Sequence, residues 1–251
     1  MENKMAKNTR TVIIILVLVI IGSYIAKRTK QPEPIPEQPV IQEPDPITDE
    51  IMITEKEIKE ENFSGTMPEI KGNNTLANAA HDYVAKVVAD FRERANLEVP
   101  DLRKQFGDDI AAAHYTIDIM ATHFGGATTE TILLSEYIYT GGANGMSLYT
   151  AFTDEKATGR ILTLKDVIIL EKQKAFTDLV KKRLLASGKA GTLSVFPEDV
   201  NKLSFDSFTD FAFDETSLIL YFDKYAIGPG ALGPVAYKIP VTDLATYLSI
   251  Q

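Results

Sequence analysis

Residues 113 to 152 decide the fold, and they read AHYTIDIMATHFGGATTETILLSEYIYTGGANGMSLYTAF. Apolar and polar residues alternate through most of this stretch, which is typical of half-buried β-strands. Glycines at 125–126 and at 141–145 interrupt the alternation and predict turns. The predicted strands cover residues 113–122, 128–139 and 146–152. The stretch therefore predicts three neighbouring strands of an antiparallel sheet.

A helix is predicted directly before these strands. Between Leu76 and Ala95, apolar residues recur at steps of three and four, as on one face of an α-helix. Asn74 or Thr75 can cap its first turn, and Pro100 is expected to lie beyond its end. One or two further strands are predicted over residues 58–70.

The same order of elements recurs in the second half of the chain. An amphipathic helix is predicted from Glu171 to Ser187, and Thr242 is expected to cap a short last helix. The predicted strands between them cover residues 208–213, 218–222 and 235–239. The fold class is therefore α+β, with two helix-plus-antiparallel-sheet modules at 51–155 and 156–251. The repeat is one of element order, because the two halves share no residue pattern.

The N-terminus carries a membrane signal. Residues 12–26 are almost entirely apolar, and Lys27 and Arg28 follow directly. We expect residues 1–30 to form a cytoplasmic stub and a single transmembrane helix, with the flanking basic side chains extending the span. The alternatives are a cleaved signal peptide and a buried core helix. The prediction is a single-pass membrane protein whose folded body lies outside the cytoplasm, in the periplasm or at the cell surface.

A proline-rich linker joins this anchor to the body. In residues 31–50, proline nearly alternates with Glu, Gln and Asp, and no basic residue is present. This composition favours an extended polyproline II spacer, about 55 Å long over 18 residues.

Composition excludes several functions. The 251-residue chain has no cysteine, three histidines and a net charge of −9. The absence of cysteine excludes disulfide scaffolds, thiolate metal centres and a cysteine nucleophile. The acidic balance argues against nucleic acid as a partner. Residues 51–251 carry 20 basic and 28 acidic residues, so the body is mildly acidic.

Catalytic and metal-binding motifs are absent from the sequence. There is no H-E-x-x-H, no G-x-S-x-G and no phosphate-binding loop. The histidines are His81, His114 and His123, and we interpret them as structural or surface residues. Asp206, Asp210 and Asp214 have helical spacing, but the phenylalanines around them fit strand and loop better. We therefore predict no catalytic residue, no metal, no cofactor and no enzymatic activity.

Two glycine-rich segments are the candidate ligand-binding loops. They are interpreted either as simple turns that need positive φ, or as exposed loops that offer tyrosine rings and backbone donors to a ligand. The candidate residues are Tyr139, Thr140, Gly141, Gly142, Asn144, Tyr225, Gly228, Gly230 and Gly233.

Two segments carry a family resemblance. Residues 137–167 read YIYTGGANGMSLYTAFTDEKATGRILTLKDV, and residues 213–248 read FDETSLILYFDKYAIGPGALGPVAYKIPVTDLATYL. Both resemble the extracellular region of RsiV-type proteins. Residues 55–150 are similar to the companion domain of those proteins, which also occurs at the N-terminus of PdaC-type peptidoglycan deacetylases. The RsiV-type loop commonly has His where this chain has Asn144.

This resemblance implies a binding function. RsiV-type proteins are anti-sigma factors whose outer part binds lysozyme, so peptidoglycan or a lysozyme-like muramidase is the expected partner. The 11 residues before the apolar run are too few to capture a sigma factor, which needs roughly 800 Å² per partner, so we expect no anti-sigma activity. We expect no deacetylase domain after the body, so deacetylase activity is not implied. The alternatives are an envelope assembly protein that binds another protein, and a carboxylate-dependent cell-wall hydrolase.

Overall fold

A computed structural model describes residues 50–107 and 114–249, which form an α+β body with two β-sheets. The predicted membrane helix and linker lie outside these residues. Within the described part, no helix combines the length and apolar character needed to cross a bilayer. The strands are β1 (Met52–Lys59), β2 (Phe63–Lys71), β3 (Tyr115–Gly125), β4 (Thr129–Tyr139), β5 (Met146–Glu155), β6 (Arg160–Ile161), β7 (Asp210–Phe213), β8 (Ser217–Phe222) and β9 (Val235–Pro240). The α-helices are α1 (Thr75–Phe106), α2 (Leu164–Val167), α3 (Gln173–Lys189) and α4 (Pro197–Lys202).

The first sheet has six strands in the order β1 to β6, and it is mixed rather than purely antiparallel. Strands β2 and β3 are parallel, because α1 connects them and returns the chain to the same end of the sheet. Gly65 allows the two strands to approach. A Cβ atom at this position would lie 1.7 Å from the carbonyl oxygen of Ile117. The prediction of an antiparallel sheet is therefore wrong for this one pair.

Helix α1 begins where predicted but continues past Pro100 to Phe106. The side chain of Asn74 caps it by accepting a hydrogen bond from the Ala77 backbone N–H. Proline inside a helix removes one backbone hydrogen bond. The last turns persist because Val99 is fully buried and Arg103 donates to the Asn62 side chain. Tertiary contacts thus override the stop signal that proline gives in the sequence.

The two sheets stack face to face, with a helix on each outer side. One face of the first sheet packs on α1, and the opposite face meets the second sheet through Ala212, Ile219 and Tyr221. Helix α3 packs on the far side of the second sheet, where it contacts Leu218 and Leu220. All six residues of β8 are buried because both faces of this strand are covered.

The C-terminal segment does not form the predicted last helix. Val241–Asp243 form one 3₁₀ turn, and the chain then runs beside the residues that follow α2. The Ile169 N–H donates to the Tyr247 carbonyl, and the Ser249 N–H donates to the Val167 carbonyl. These two hydrogen bonds use the Tyr247 carbonyl and the Ser249 N–H, which a helix would need for its own backbone hydrogen bonds. Strand β6, although it follows residue 155, belongs to the first sheet.

Candidate functional site

The first glycine-rich loop connects β4 to β5. Gly141 and Gly142 both have positive φ, at 92° and 91°, a region that favours glycine. The hydroxyl of Tyr139 donates to the Gly142 carbonyl at 2.9 Å, so this tyrosine holds its own loop. Thr140 is half-buried, whereas Asn144 is exposed. The loop is a tight turn with an exposed tip.

The second glycine-rich loop connects β8 to β9. Tyr225 has a φ of 74°, which is rare outside glycine and is compatible with backbone strain. Its ring lies over Gly230, where a Cβ atom would come within 2.3 Å of the ring. Gly228 is buried against the Ser194 carbonyl, and Gly233 has a positive φ after a 3₁₀ turn. Gly228 and Gly233 therefore shape the loop, and Gly230 carries the tyrosine ring.

Lys224 joins the two loops. Its backbone N–H donates to the Ser147 carbonyl at 3.1 Å, and its ammonium donates to the Gly145 carbonyl at 2.8 Å. The same ammonium lies 5.2 Å from the centre of the Tyr225 ring. On the other side of the contact, Gly145 lies against the Tyr137 ring, where a Cβ atom would come within 2.4 Å. Lys224 thus contacts the Tyr225 ring directly and is connected to the Tyr137 ring through Gly145.

We name this region the tyrosine surface and define it by Tyr137, Gly145, Lys224, Tyr225 and Gly230. Tyr137 and Tyr225 are 40% and 51% exposed, and the neighbouring Met146 is 41% exposed. Large exposed aromatic side chains on a well-ordered backbone are typical of binding surfaces. The arrangement offers two ring faces and a cation to a ligand.

The structure brings only part of the predicted set to this surface. Tyr225 and Gly230 belong to it, while Tyr139 is bonded to its own loop and Gly228 is buried. Sequence reasoning missed Tyr137 and Lys224 as site residues. Tyr137 lies two residues before Tyr139, so the alternation of β4 places both on one face of the strand. No local pattern marks Lys224, since its partner is 79 residues away along the chain.

Two aspartates cap the outer edge of β5 next to this surface. Along residues 147–153 this edge has no strand partner among the described residues. The Tyr149 N–H donates to Asp223, and the Ala151 N–H donates to Asp210, each at 2.9 Å. Burial raises the pKa of Asp210, and Asp223 contributes to that rise. These carboxylates satisfy backbone groups that would otherwise form an open sheet edge.

Near the tyrosine surface, Glu136 is the most deeply buried acidic side chain, with 3% of its area exposed. Its carboxylate accepts hydrogen bonds from the Tyr83 hydroxyl at 3.0 Å and the Thr150 hydroxyl at 2.9 Å. Burial raises the pKa of Glu136, and the negative charges of Asp223 and Asp210 act in the same direction. Burial also raises the pKa of Tyr83 to about 12. This cluster links α1 to the first sheet.

The histidines and the spaced aspartates do not form a common site. His114 contacts the Ser64 hydroxyl, and His123 lies 3.4 Å from Glu130. Asp206 pairs with Lys165, and Asp214 pairs with Lys238, while Asp210 holds β5. Within residues 50–107 and 114–249, no group of three His, Asp or Glu side chains is arranged to hold a metal ion.

Comparisons with known proteins show the fold. Residues 165–242 match the model of a family described as a protein of unknown function, DUF3298. A DUF3298 family member from Bacteroides fragilis is similar in structure, with a TM-score of 0.57, 20% identity and coverage of 80% of this chain and 93% of that chain. A second, from Pseudomonas aeruginosa PAO1, has a TM-score of 0.56, 18% identity and coverage of 82% and 95%. No curated protein matches the chain.

Proposed function

We propose that the folded body is an extracytoplasmic binding module, anchored in the membrane through residues 12–26, that recognises peptidoglycan or a lysozyme-like muramidase. The observation that carries the proposal is the contact of Lys224 with Gly145. It brings together the rings of Tyr137, on β4 of the first sheet, and Tyr225, in the loop after β8 of the second sheet. The resemblance of residues 137–167 and 213–248 to RsiV-type proteins supports the same function.

The chemistry of the tyrosine surface suits both ligands. The apolar face of a sugar ring packs on an aromatic ring, and tyrosine adds a hydroxyl that bonds to polar groups. Tyrosine is also enriched at protein interfaces, where its large ring is buried at low entropic cost. The net charge of −8 over residues 51–251 favours approach of a basic enzyme such as lysozyme. The geometry therefore supports a glycan or a glycan-cleaving enzyme as the ligand.

The acids near this surface support binding rather than hydrolysis. A glycoside hydrolase needs two carboxyl groups that face the substrate across a cleft. Here Asp210 and Asp223 accept backbone hydrogen bonds from β5, and Glu136 is bonded to Tyr83 and Thr150. Each carboxylate thus has a structural partner.

A capture experiment tests the proposal. The full chain, reconstituted in phosphatidylcholine nanodiscs, is incubated at low salt with purified peptidoglycan and, separately, with lysozyme. We expect wild type and Tyr225→Phe to bind at least one of them, and Tyr225→Asn to lose most of that binding. Asparagine tolerates the positive φ of position 225, so the backbone is kept while the ring is removed. Absence of binding to both ligands would contradict the proposal and favour an envelope assembly protein.

A further inference from the structure

We propose that a groove at the opposite end of β4 binds an extended peptide that carries an apolar side chain next to basic side chains. This groove is separate from the tyrosine surface, since the eight residue steps of β4 from Thr129 to Tyr137 span about 26 Å. Two cavities, of about 330 and 580 Å³, share a wall formed by residues 127–129. We name the pair the acidic groove.

The smaller cavity is an apolar pocket. It lies between the turn from β3 to β4, the turn from β7 to β8 and the C-terminal segment. Its size is within the range of binding pockets, which are mainly apolar with a few polar groups. The apolar lining residues are Ala127, Phe213, Val241, Ala245 and Leu248. This pocket is suited to one large apolar side chain.

The charges on the rim are predominantly negative. Glu155 and Lys156 line the larger cavity, and Asp214 and Glu215 line the smaller one, so three carboxylates face one ammonium. Both nearby ammonium groups have hydrogen-bond partners, and Lys238 is paired with a carboxylate. The Lys156 ammonium donates to the Gly126 carbonyl at 3.0 Å, and Lys238 lies 2.9 Å from Asp214.

Two of the rim carboxylates form no ion pair among the described residues. Glu155 accepts a hydrogen bond from the Thr158 hydroxyl, but it has no ion pair among the described residues. Glu215 is exposed and likewise has no ion pair there. A ligand that fills the apolar pocket and extends along the rim meets these free carboxylates, which favours basic side chains.

Thr129 supplies a polar feature on the shared wall. It lines both cavities and is 1% exposed, and its hydroxyl has no hydrogen-bond partner within the described part of the chain. Buried polar groups are rarely left unpaired, because the loss of water is uncompensated. This oxygen is shielded from solvent in the free protein, so a peptide amide pairs with it only when the wall residues move apart. An elongated groove with such a group fits an extended peptide.

The absence of tryptophan from the chain gives a direct assay. The probe is the blocked hexapeptide acetyl-Gly-Trp-Leu-Lys-Lys-Gly-amide, added to the full chain in phosphatidylcholine vesicles. Tryptophan emission then reports only on the peptide. We expect a blue shift and saturable binding. The matched peptide with Glu-Glu in place of Lys-Lys is expected to bind more weakly.

Three variants locate the binding. Ala245→Phe fills the pocket from an exposed position and is expected to weaken binding about tenfold or more, because the pocket supplies the burial of one apolar side chain. Glu215→Gln is expected to weaken it about two- to fivefold. Glu171→Gln, on an exposed residue outside the groove, should leave it unchanged. Equal binding of both peptides, unchanged binding by Ala245→Phe, or no binding by wild type would each overturn the proposal. None of these results depends on the tyrosine surface.

Discussion

The ammonium of Lys224 donates a hydrogen bond to the carbonyl oxygen of Gly145, with the two atoms 2.8 Å apart. This contact joins the loop after β8 in the second sheet to the loop before β5 in the first. Because Tyr137 packs on Gly145 and Tyr225 packs on Gly230, the contact also brings the two exposed rings near each other. The relative position of the two sheets thereby determines the shape of the tyrosine surface.

We predict that Lys224→Met weakens the contact between the two loops without unfolding the protein, because the backbone bond from residue 224 to Ser147 remains. The loss of one charge-assisted hydrogen bond is expected to cost about 1.5–3 kcal/mol in unfolding free energy. Capture of peptidoglycan or lysozyme should fall more steeply than stability. Lys202→Met is the control, because Lys202 forms an exposed pair with Asp199. Undiminished capture by Lys224→Met would show that the loops act independently.

Because Tyr225 has a positive φ, we predict that its replacement changes ligand binding much more than stability. Tyr225→Asn removes the packing of the ring on Gly230, but it also relieves backbone strain of about 1–3 kcal/mol. We therefore expect the unfolding free energy, measured with urea, to change by less than about 1 kcal/mol while ligand binding weakens by about fivefold or more. A loss of more than twice that amount in unfolding free energy would assign the ring a structural role instead.

We predict that the stability contributed by Asp214, in the turn between β7 and β8, is lost at acid pH. Its carboxylate accepts the N–H groups of Thr216 and Ser217 and pairs with Lys238. The hydrogen bond from Lys238 is the main reason that the pKa of Asp214 falls to about 2. Asp214→Ala should cost about 1–2 kcal/mol at pH 7.

The sign of this effect follows from the lowered pKa. The contribution of Asp214 is present above its unfolded-state pKa, about 3.9, and is lost as the pH falls toward 2. The difference in urea-unfolding free energy between wild type and Asp214→Ala should therefore shrink over that range. A difference independent of pH would contradict the assignment. Lys238→Met, which removes only the exposed ion pair, should cost less than about 1 kcal/mol.

For Glu136 we predict the opposite dependence of stability on pH. Because burial raises its pKa, the folded state holds the proton more tightly than the unfolded state does. The ionised carboxylate is therefore less favourable in the folded state than in the unfolded state. This lowers the free energy of unfolding increasingly as the pH rises above the unfolded-state pKa, near 4.3. Glu136→Gln keeps an oxygen for Tyr83 and Thr150 but removes the charge.

We expect the stability of Glu136→Gln relative to wild type to increase from pH 4 to pH 7.5, as measured by urea unfolding. Glu93→Gln, on the exposed side of α1, is the control and should show no such trend. A relative stability that decreases with pH would mean that the carboxylate is stabilised as an anion.

Local periodicity predicted most of the elements, because each was determined by neighbours in sequence. Strand β4 was predicted from residue 128 to 139 and extends from Thr129 to Tyr139. The hairpin of β7 and β8 is centred on residues 214–217, as predicted. These segments have uninterrupted alternation or a defined turn, so few alternatives compete.

Long-range contacts account for what the sequence could not reveal. The helix continues through Pro100 because Val99 is buried and Arg103 reaches Asn62, which is 41 residues earlier. Parallel pairing of β2 and β3 depends on the path of α1 rather than on either strand. Likewise, glycine and tyrosine patterns predict Tyr225 and Gly230 of the tyrosine surface. Lys224 enters through a contact between loops of the two sheets, and Tyr137 enters through its contact with Gly145.

Isothermal titration calorimetry of the double variant Tyr137→Ser/Tyr225→Asn tests most directly whether the tyrosine surface is the binding site. Wild type, each single variant and the double variant, all as full chains in nanodiscs, are titrated with lysozyme and with soluble peptidoglycan fragments. Aromatic residues at the centre of an interface commonly contribute more than 1 kcal/mol each. We predict that each single change weakens binding of the recognised ligand by about fivefold or more, and that the double change abolishes it. Full-affinity binding by the folded double variant would contradict the claim that this surface is the binding site.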